Sequence, residues 1–146
     1  MHFLQNDPVA DNQSGYDGLI SDVDSINLQL FIKLDGIIEQ EKLFTRHDLS
    51  REMLCDVISV GRNRFTTIMR QYSGATNLSE YINRKRVNYA VQLMKQYPQW
   101  TLEAICDACG MNNTSFKRYF KMFHGMPPSE YRASKAWNSL NDDNIA

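Results

Sequence analysis

Two stretches of this 146-residue chain concentrate cations, hydroxyls and a side-chain amide at helical spacing. The first, GRNRFTTIMRQYSG, carries Arg62, Asn63, Arg64, Thr66, Thr67 and Arg70; the second, GMNNTSFKRYFKMFHG, carries Thr114, Ser115, Lys117, Arg118 and Lys121. These residue types suit one chemistry above others, the recognition of a polyanion. Ammonium and guanidinium groups release the counterions condensed on phosphates. Arg and Asn can also pair with the edges of guanine and adenine, and a Thr methyl can meet that of thymine. The apolar residues in between decide which side chains are available. Phe65, Ile68, Met69 and Tyr72 share one side of a 3.6-residue repeat, and so do Phe116, Tyr119, Phe120 and Phe123. With those sides buried, Asn63, Thr67, Arg70, Thr114 and Arg118 are expected to reach base edges. Arg62, Arg64, Thr66, Ser115, Lys117 and Lys121 are expected to grip the backbone. The bland alternative is a solvated polar face on each helix. The aromatics themselves read as core rather than as stacking platforms.

The charge balance agrees with this reading once it is mapped along the chain. A formal net charge of −1 conceals five Asp and no Lys or Arg in residues 1–30. From Phe31 to Leu140 the count reverses to 16 basic against ten acidic residues. Local blocks of one sign, rather than the net value, decide anion binding. No run approaches the roughly 18 apolar residues of a membrane span, and no signal peptide opens the chain. Three cysteines leave one unpaired in any disulfide scheme, which fits a reducing cytoplasm.

The elements that must position these residues are helical throughout. Residues 1–24 are acidic and rich in turn formers, and read as a flexible leader or linker. Leu30, Leu34, Ile37 and Ile38 then define an amphipathic helix from Ile26 to about Gln40, within a leading segment 25–44. Ser50 caps a helix over Arg51–Ile58. A break at Ser59–Gly61 leads into a helix over Arg62–Tyr72, with Gly74 as a left-handed stop. NLSE at 77–80 has the form of a capping box and starts the longest helix, which runs to Gln96 before Pro98. Its candidate core positions are Tyr81, Ile82, Val87, Ala90, Val91 and Met94. Thr101 caps a short helix closed by Gly110, and Asn112 or Asn113 opens the aromatic helix that ends at Gly125. Pro128 starts a last helix to about Trp137, and 138–146 read as a disordered tail. Period-2 alternation is missing, so the expected fold is all-α with about seven helices.

One plan occurs twice, a short capped helix, a tight break, and a second helix bearing aromatics and cations. Segments 49–74 and 101–125 both follow it, within units expected at 45–76 and 98–137, joined by the linker helix 77–97. This is the helix-turn-helix arrangement, with the recognition helices at about 62–72 and 113–124. The linker's helix, Leu78 to Gln96, spans ~28 Å at ~1.5 Å per residue, near the ~34 Å of one DNA turn. The two recognition helices could therefore occupy successive major grooves.

The chain resembles the AraC/XylS type of transcriptional regulators over about Leu43 to Arg132. The resemblance is carried by Leu54, Cys55 and Ile58, by Phe65, Ile68 and Met69, and by Tyr81-Ile82 through Arg86 to Ala90. It is denser in the second half: Ile105, Gly110, FKRYFK at 116–121, Gly125 and PPSEYR at 127–132. That last part is similar to the family's F-x-R-x-F-K…G-x-x-P-x-x-Y-R signature. The resemblance implies double-stranded DNA as partner, with RNA polymerase, a second copy of the chain and an upstream sensor domain as further partners. It singles out Arg118 for base contact and gives Arg86 a structural role. LFIKLDGIIEQEKLF looks like the leading helix of relatives at the cytoplasmic end of membrane-anchored sensors. Gly61 stands where the family usually has a Ser cap, and Thr67 where it often has Arg. The chain is one residue shorter between Gly110 and Phe116, so the start of the second recognition helix is expected to be tighter or tilted.

Other chemistries fare less well. Cys106 and Cys109 have C-x-x-C spacing, but zinc needs about four ligands, and only Cys55 and the scattered His2, His47 and His124 remain. Burial on a helix is the better reading of the pair, with redox chemistry a distant one. Arg84, Lys85 and Arg86 are consecutive, so they cannot all face one ligand. Gly-rich phosphate loops, H-E-x-x-H and G-x-S-x-G are all missing, so no enzyme activity is expected. Nor does the reading call for a cofactor, a metal or a small-molecule ligand. A helical protein-interaction module is the competing class.

Overall fold

The computed structural model describes residues 15–135, with residues 15–21 as backbone only. Seven α-helices follow one another: α1 (Gly15–Gln40), α2 (Arg51–Val57), α3 (Arg62–Tyr72), α4 (Leu78–Gln96), α5 (Leu102–Ala108), α6 (Asn113–His124) and α7 (Pro128–Ser134), with a 3-10 turn at Leu43–Thr45. The described residues contain no strand, and the fold is all-α.

Local chemistry starts most of these helices. Side-chain oxygens of Ser50, Asn77, Thr101 and Asn112 accept from the backbone N–H of Met53, Glu80, Ala104 and Ser115 at 2.8–3.2 Å. Each bond satisfies one of the amides that a helix leaves without an internal acceptor. The return arm of the expected capping box is displaced by one residue, since Glu80 Oε1 accepts from the Thr76 amide at 3.0 Å. α3 starts at Gly61 without a side-chain cap. α6 ends at Gly125, which is left-handed at φ 81°.

Three segments differ from the sequence expectation. Helix α1 begins at Gly15, so residues 15–24 of the expected flexible leader are helical. Tertiary contacts hold the helix where it meets α3: Tyr72 Oη donates to the Asp24 carbonyl at 3.0 Å, and Asn27, nearly fully buried, accepts from Arg64 Nε at 3.1 Å. Packing on α3 overrides a composition that favours turns. The 3-10 turn at Leu43–Thr45 replaces the end of the leading segment, entered through Lys42 in the left-handed region at φ 51°. Finally, α7 closes at Ser134 rather than Trp137; Lys135 is extended, with its ammonium 4.1 Å from the Tyr131 ring centroid. Residues 1–14 of the leader, Trp137 and the tail 138–146 lie outside the described residues.

Two apolar cores are strung on α4. Leu34 and Ile38 of α1, Phe44, Leu54, Ile58, Phe65 and Ile68 gather with Tyr81 and Ile82 from its first turns. Ile105, Cys109, Met111, Phe116 and Phe120 gather with Val87, Ala90, Leu93 and Met94 further along. Each fully buried side chain of this kind contributes about 1.5–3 kcal/mol. Tyr89 packs against both cores. Val91, expected in the core, is only partly buried, whereas Leu93 is buried. Polar contacts fix α1 on α4: Lys85 Nζ lies 2.7 Å from Asp35 Oδ1 and 2.6 Å from Glu39 Oε2, and Tyr81 Oη donates to Asp35. Burial raises the Asp35 carboxyl, but the hydrogen bonds from Lys85 and Tyr81 outweigh it and hold the group below the usual range.

Gly110 forms the turn of the second unit under a double constraint. Its φ is +85°, and a Cβ there would lie 2.4 Å from the Thr45 carbonyl oxygen. Gly74 shares the conformation, at φ +72°, but has open space around it. Gly110→Ala is therefore expected to lower stability by at least ~2 kcal/mol, from backbone strain plus overpacking. Gly74→Ala should cost only about 1–2 kcal/mol from strain. Urea denaturation of the two variants checks the difference, and equal losses would remove the Thr45 contact from the account.

His124 makes a second prediction. Its Nε2 is buried without a hydrogen-bond partner, and the ring packs between Phe120 and Tyr131 at centroid distances of 4.9 and 5.0 Å. Burial, with Lys135 and Arg84 nearby, pushes its pKa below the usual 6.5. Between that lowered value and 6.5 the unfolded chain binds the proton and the folded chain does not, so stability falls as pH falls through this window. Urea midpoints for the wild type should drop between pH 7.5 and pH 5 by more than those of His124→Leu.

Candidate nucleic-acid interface

Helix α3, expected as the first recognition helix, turns Phe65, Ile68 and Met69 into the core and leaves its other side in solvent. Arg62, Asn63, Arg64, Thr66 and Arg70 are exposed, while Thr67 is half-buried. The two threonines are engaged with the helix itself: Thr66 Oγ1 donates to Arg62 O at 3.1 Å and Thr67 Oγ1 to Asn63 O at 3.2 Å. Their methyl groups remain for contact with a ligand. Arg51 Nη1 also donates to Thr66 Oγ1, at the long distance of 3.5 Å.

The arginines of α3 differ in what they are already bonded to. Arg62 Nη1 donates to Glu52 Oε2 at 2.8 Å, with both side chains about two-thirds exposed. Arg64 donates through Nε to Asn27 of α1. Arg70, in the last turn, has no hydrogen bond or ion pair among the described residues. Neither Glu52 nor Asn27 was marked by the sequence reading. Glu52 had a usable signal, an acid in the first turn of the helix that precedes the recognition helix. Asn27 had none, because its partner lies 37 residues away.

In α6 the division is sharper. Phe116 and Phe120 are buried, with rings edge-on at 5.6 Å, and Tyr119 and Phe123 are half-buried. Thr114, Lys117, Arg118 and Lys121 are exposed, and Ser115 is half-buried with its amide taken by the Asn112 cap. Lys117 and Lys121 make no hydrogen bond or ion pair among the described residues. The Arg118 guanidinium lies 4.8 Å from the Tyr119 ring centroid. That contact steadies the side chain while its donors stay in solvent. The stretch before Phe116 turns through left-handed Gly110 and buried Met111, whose carbonyl accepts from Cys106 Sγ at 3.3 Å.

The consecutive cations of α4 are largely committed to the fold. Lys85 is half-buried against Asp35 and Glu39, and Arg86 donates to the carbonyls of Phe44 and Arg46. Arg84 is half-exposed, stacked 4.3 Å from the Phe123 centroid and 3.5 Å from Glu80. Arg132 reaches across to the end of α4, donating from Nη2 to Pro98 O at 2.6 Å and to Tyr97 O at 3.2 Å. All three cysteines are free thiols and buried. Burial raises the thiols of Cys55 and Cys106 and pushes Cys109 up to about 12. Thiols held in this form are poor nucleophiles and poor metal ligands. Among the described residues no three His, Cys, Asp or Glu side chains cluster as a metal site, and no helix is long and apolar enough to cross a membrane.

The outward faces of α3 and α6 are thus polar and cationic, on two units of like build joined by α4. A family described as "Helix-turn-helix domain" matches residues 54–134. The chain is also similar to a protein of Photobacterium leiognathi named "Probable transcriptional regulator LumQ", with 28% identity over 111 residues. That match takes in 75% of this chain and 42% of the relative, so the chain spans less than half the relative's length. No solved structure matches the chain. The paired units and the family match over 54–134 together assign the chain to the AraC/XylS-type helix-turn-helix family of DNA-binding transcriptional regulators.

Proposed function

We propose that the chain binds double-stranded DNA sequence-specifically, with α3 and α6 in successive major grooves on one side of the duplex. The observation that carries this reading is the exposure of Arg118, Lys117 and Lys121 on a helix whose other side is locked by Phe116 and Phe120. Lys117, Lys121, Ser115, Arg62, Arg64 and Thr66 hold phosphates and set the register. Asn63, Thr67, Arg70, Thr114 and Arg118 read base edges. Binding of this kind needs no cofactor, metal or catalytic group. Reduced, buried thiols are in keeping with action in the cytoplasm.

A joining role for α1 accompanies this reading. Val23, Ile26 and Ile32 are about half exposed on that helix, which favours contact with an upstream sensor domain or a second copy. RNA polymerase is a further partner for a regulator bound in this way.

Arg118→Ala is expected to weaken binding to the preferred site by about 1–3 kcal/mol and to relax the preference at one base position. Lys117→Ala and Lys121→Ala should weaken binding to specific and random duplexes alike, each reducing the slope of log affinity against log salt by roughly 0.9. Fluorescence anisotropy over a salt series separates the roles, and an equal loss for Arg118→Ala on both kinds of duplex would remove it from base reading. Glu52→Gln frees Arg62 and deletes a nearby negative charge. It should tighten binding by about threefold at low salt, with the gain fading as salt rises.

A further inference from the structure

Residues 43–47 cross the joint between the two units, and three separate sets of contacts hold them there. The Phe44 ring is buried in the first core and meets Tyr89 of α4 edge-on at 5.5 Å. From the linker, Arg86 donates through Nε to Phe44 O at 2.5 Å and through Nη2 to Arg46 O at 2.8 Å, while Asn83 Oδ1 accepts from its Nη1 at 3.0 Å. Toward the second unit, the Thr45 backbone touches Gly110 so closely that only a glycine fits. His47 Nε2 lies 3.5 Å from Asp107 Oδ1 of α5. The segment is a strap, pinned to the first core, to the linker and to the second turn.

A single helix is an incomplete brace between two small units, because each can swing about its own end of the rod. The strap supplies a second connection beside α4. We propose that it fixes the angle between α3 and α6 and thereby sets the number of base pairs separating the two half-sites that the chain accepts, with Arg86 as the positioning residue. The proposal rests on the two-reader function proposed above. Its consequence follows from the geometry of the duplex. One base pair added between half-sites turns the second by ~35° relative to the first. A rigid pair of readers cannot follow that turn, whereas a hinged pair can. The acceptors of Arg86 are backbone carbonyls, so its effect on DNA is exerted through the strap and not by contact.

The test uses duplexes carrying the two half-sites selected from a random pool, with their separation changed by up to about two base pairs in either direction. Anisotropy should show the wild type losing on the order of tenfold in affinity per base pair changed. Arg86→Gln should keep its affinity for an isolated half-site but lose less than about threefold per base pair. Arg86→Lys, which keeps the charge with fewer donors, should fall between them. Circular dichroism melts establish that each variant is folded at the binding temperature. Should Arg86→Gln melt below it, the double variant His47→Ala/Asp107→Ala alters exposed side chains alone and should broaden the profile to a smaller extent. Folded variants with a spacing profile as sharp as that of the wild type would overturn the proposal. A wild type that binds both half-sites at any spacing would do the same. A wild type that selects only one half-site would instead remove the two-reader function, and this proposal with it.

Discussion

A half-buried guanidinium at position 86 is the interaction on which the arrangement of the two units depends. Desolvation pulls its pKa down, yet an arginine stays charged, so the structure must answer the charge with acceptors. It does so with the Phe44 and Arg46 carbonyls and the Asn83 amide oxygen. Charge-assisted bonds of this kind are worth about 1.5–3 kcal/mol each, and an unanswered buried charge costs more. The planar fork matters as much as the charge, since lysine cannot address carbonyls two residues apart in the same way. The chain from 42 to 47, which has only a 3-10 turn of its own, is held by this side chain together with the burial of Phe44 and the contact of Thr45 with Gly110. Arg132 plays a similar part at the other end of α4, where it takes the carbonyls of Tyr97 and Pro98.

The basic residues therefore fall into two groups that composition alone does not separate. Lys85, Arg86 and Arg132 answer internal carboxylates and carbonyls. Arg70, Lys117, Arg118 and Lys121 face solvent without an acidic partner among the described residues. Arg62 and Arg64 stand between, exposed but already bonded to Glu52 and Asn27. In each only one guanidinium nitrogen is engaged, and the other N–H donors stay open. Among the described residues α6 thus carries three cations without an acidic partner, Lys117, Arg118 and Lys121, against Arg70 alone on α3.

Much of this was legible in the sequence because much of it is local. Caps at Ser50, Asn77, Thr101 and Asn112 act within three residues, and the 3.6-residue repeat of aromatics in α6 names its buried side. The exposed faces of α3 and α6 follow from the same periodicity. What could not be read depends on residues far apart in the chain. Helix α1 begins at Gly15 against a turn-rich composition, and the contacts that hold it at Asp24 and Asn27 come from α3, far along the chain. Lys42 adopts a left-handed backbone that glycine or asparagine would have signalled. Asn27 is buried, and only the position of Arg64 explains why. The same limit applies to the candidate site: periodicity shows that Arg62 and Arg64 are outward, not that Glu52 and Asn27 have claimed them.

The central claim is that two helices of one chain read DNA together, and one measurement addresses it most directly. The chain is titrated by fluorescence anisotropy against a pool of random duplexes at low and moderate salt, and the bound fraction is sequenced. The account predicts affinity that falls steeply with salt and enrichment of a site with two half-motifs about one helical turn apart. Binding that is indifferent to salt, or a bound pool with no enriched sequence, would contradict it.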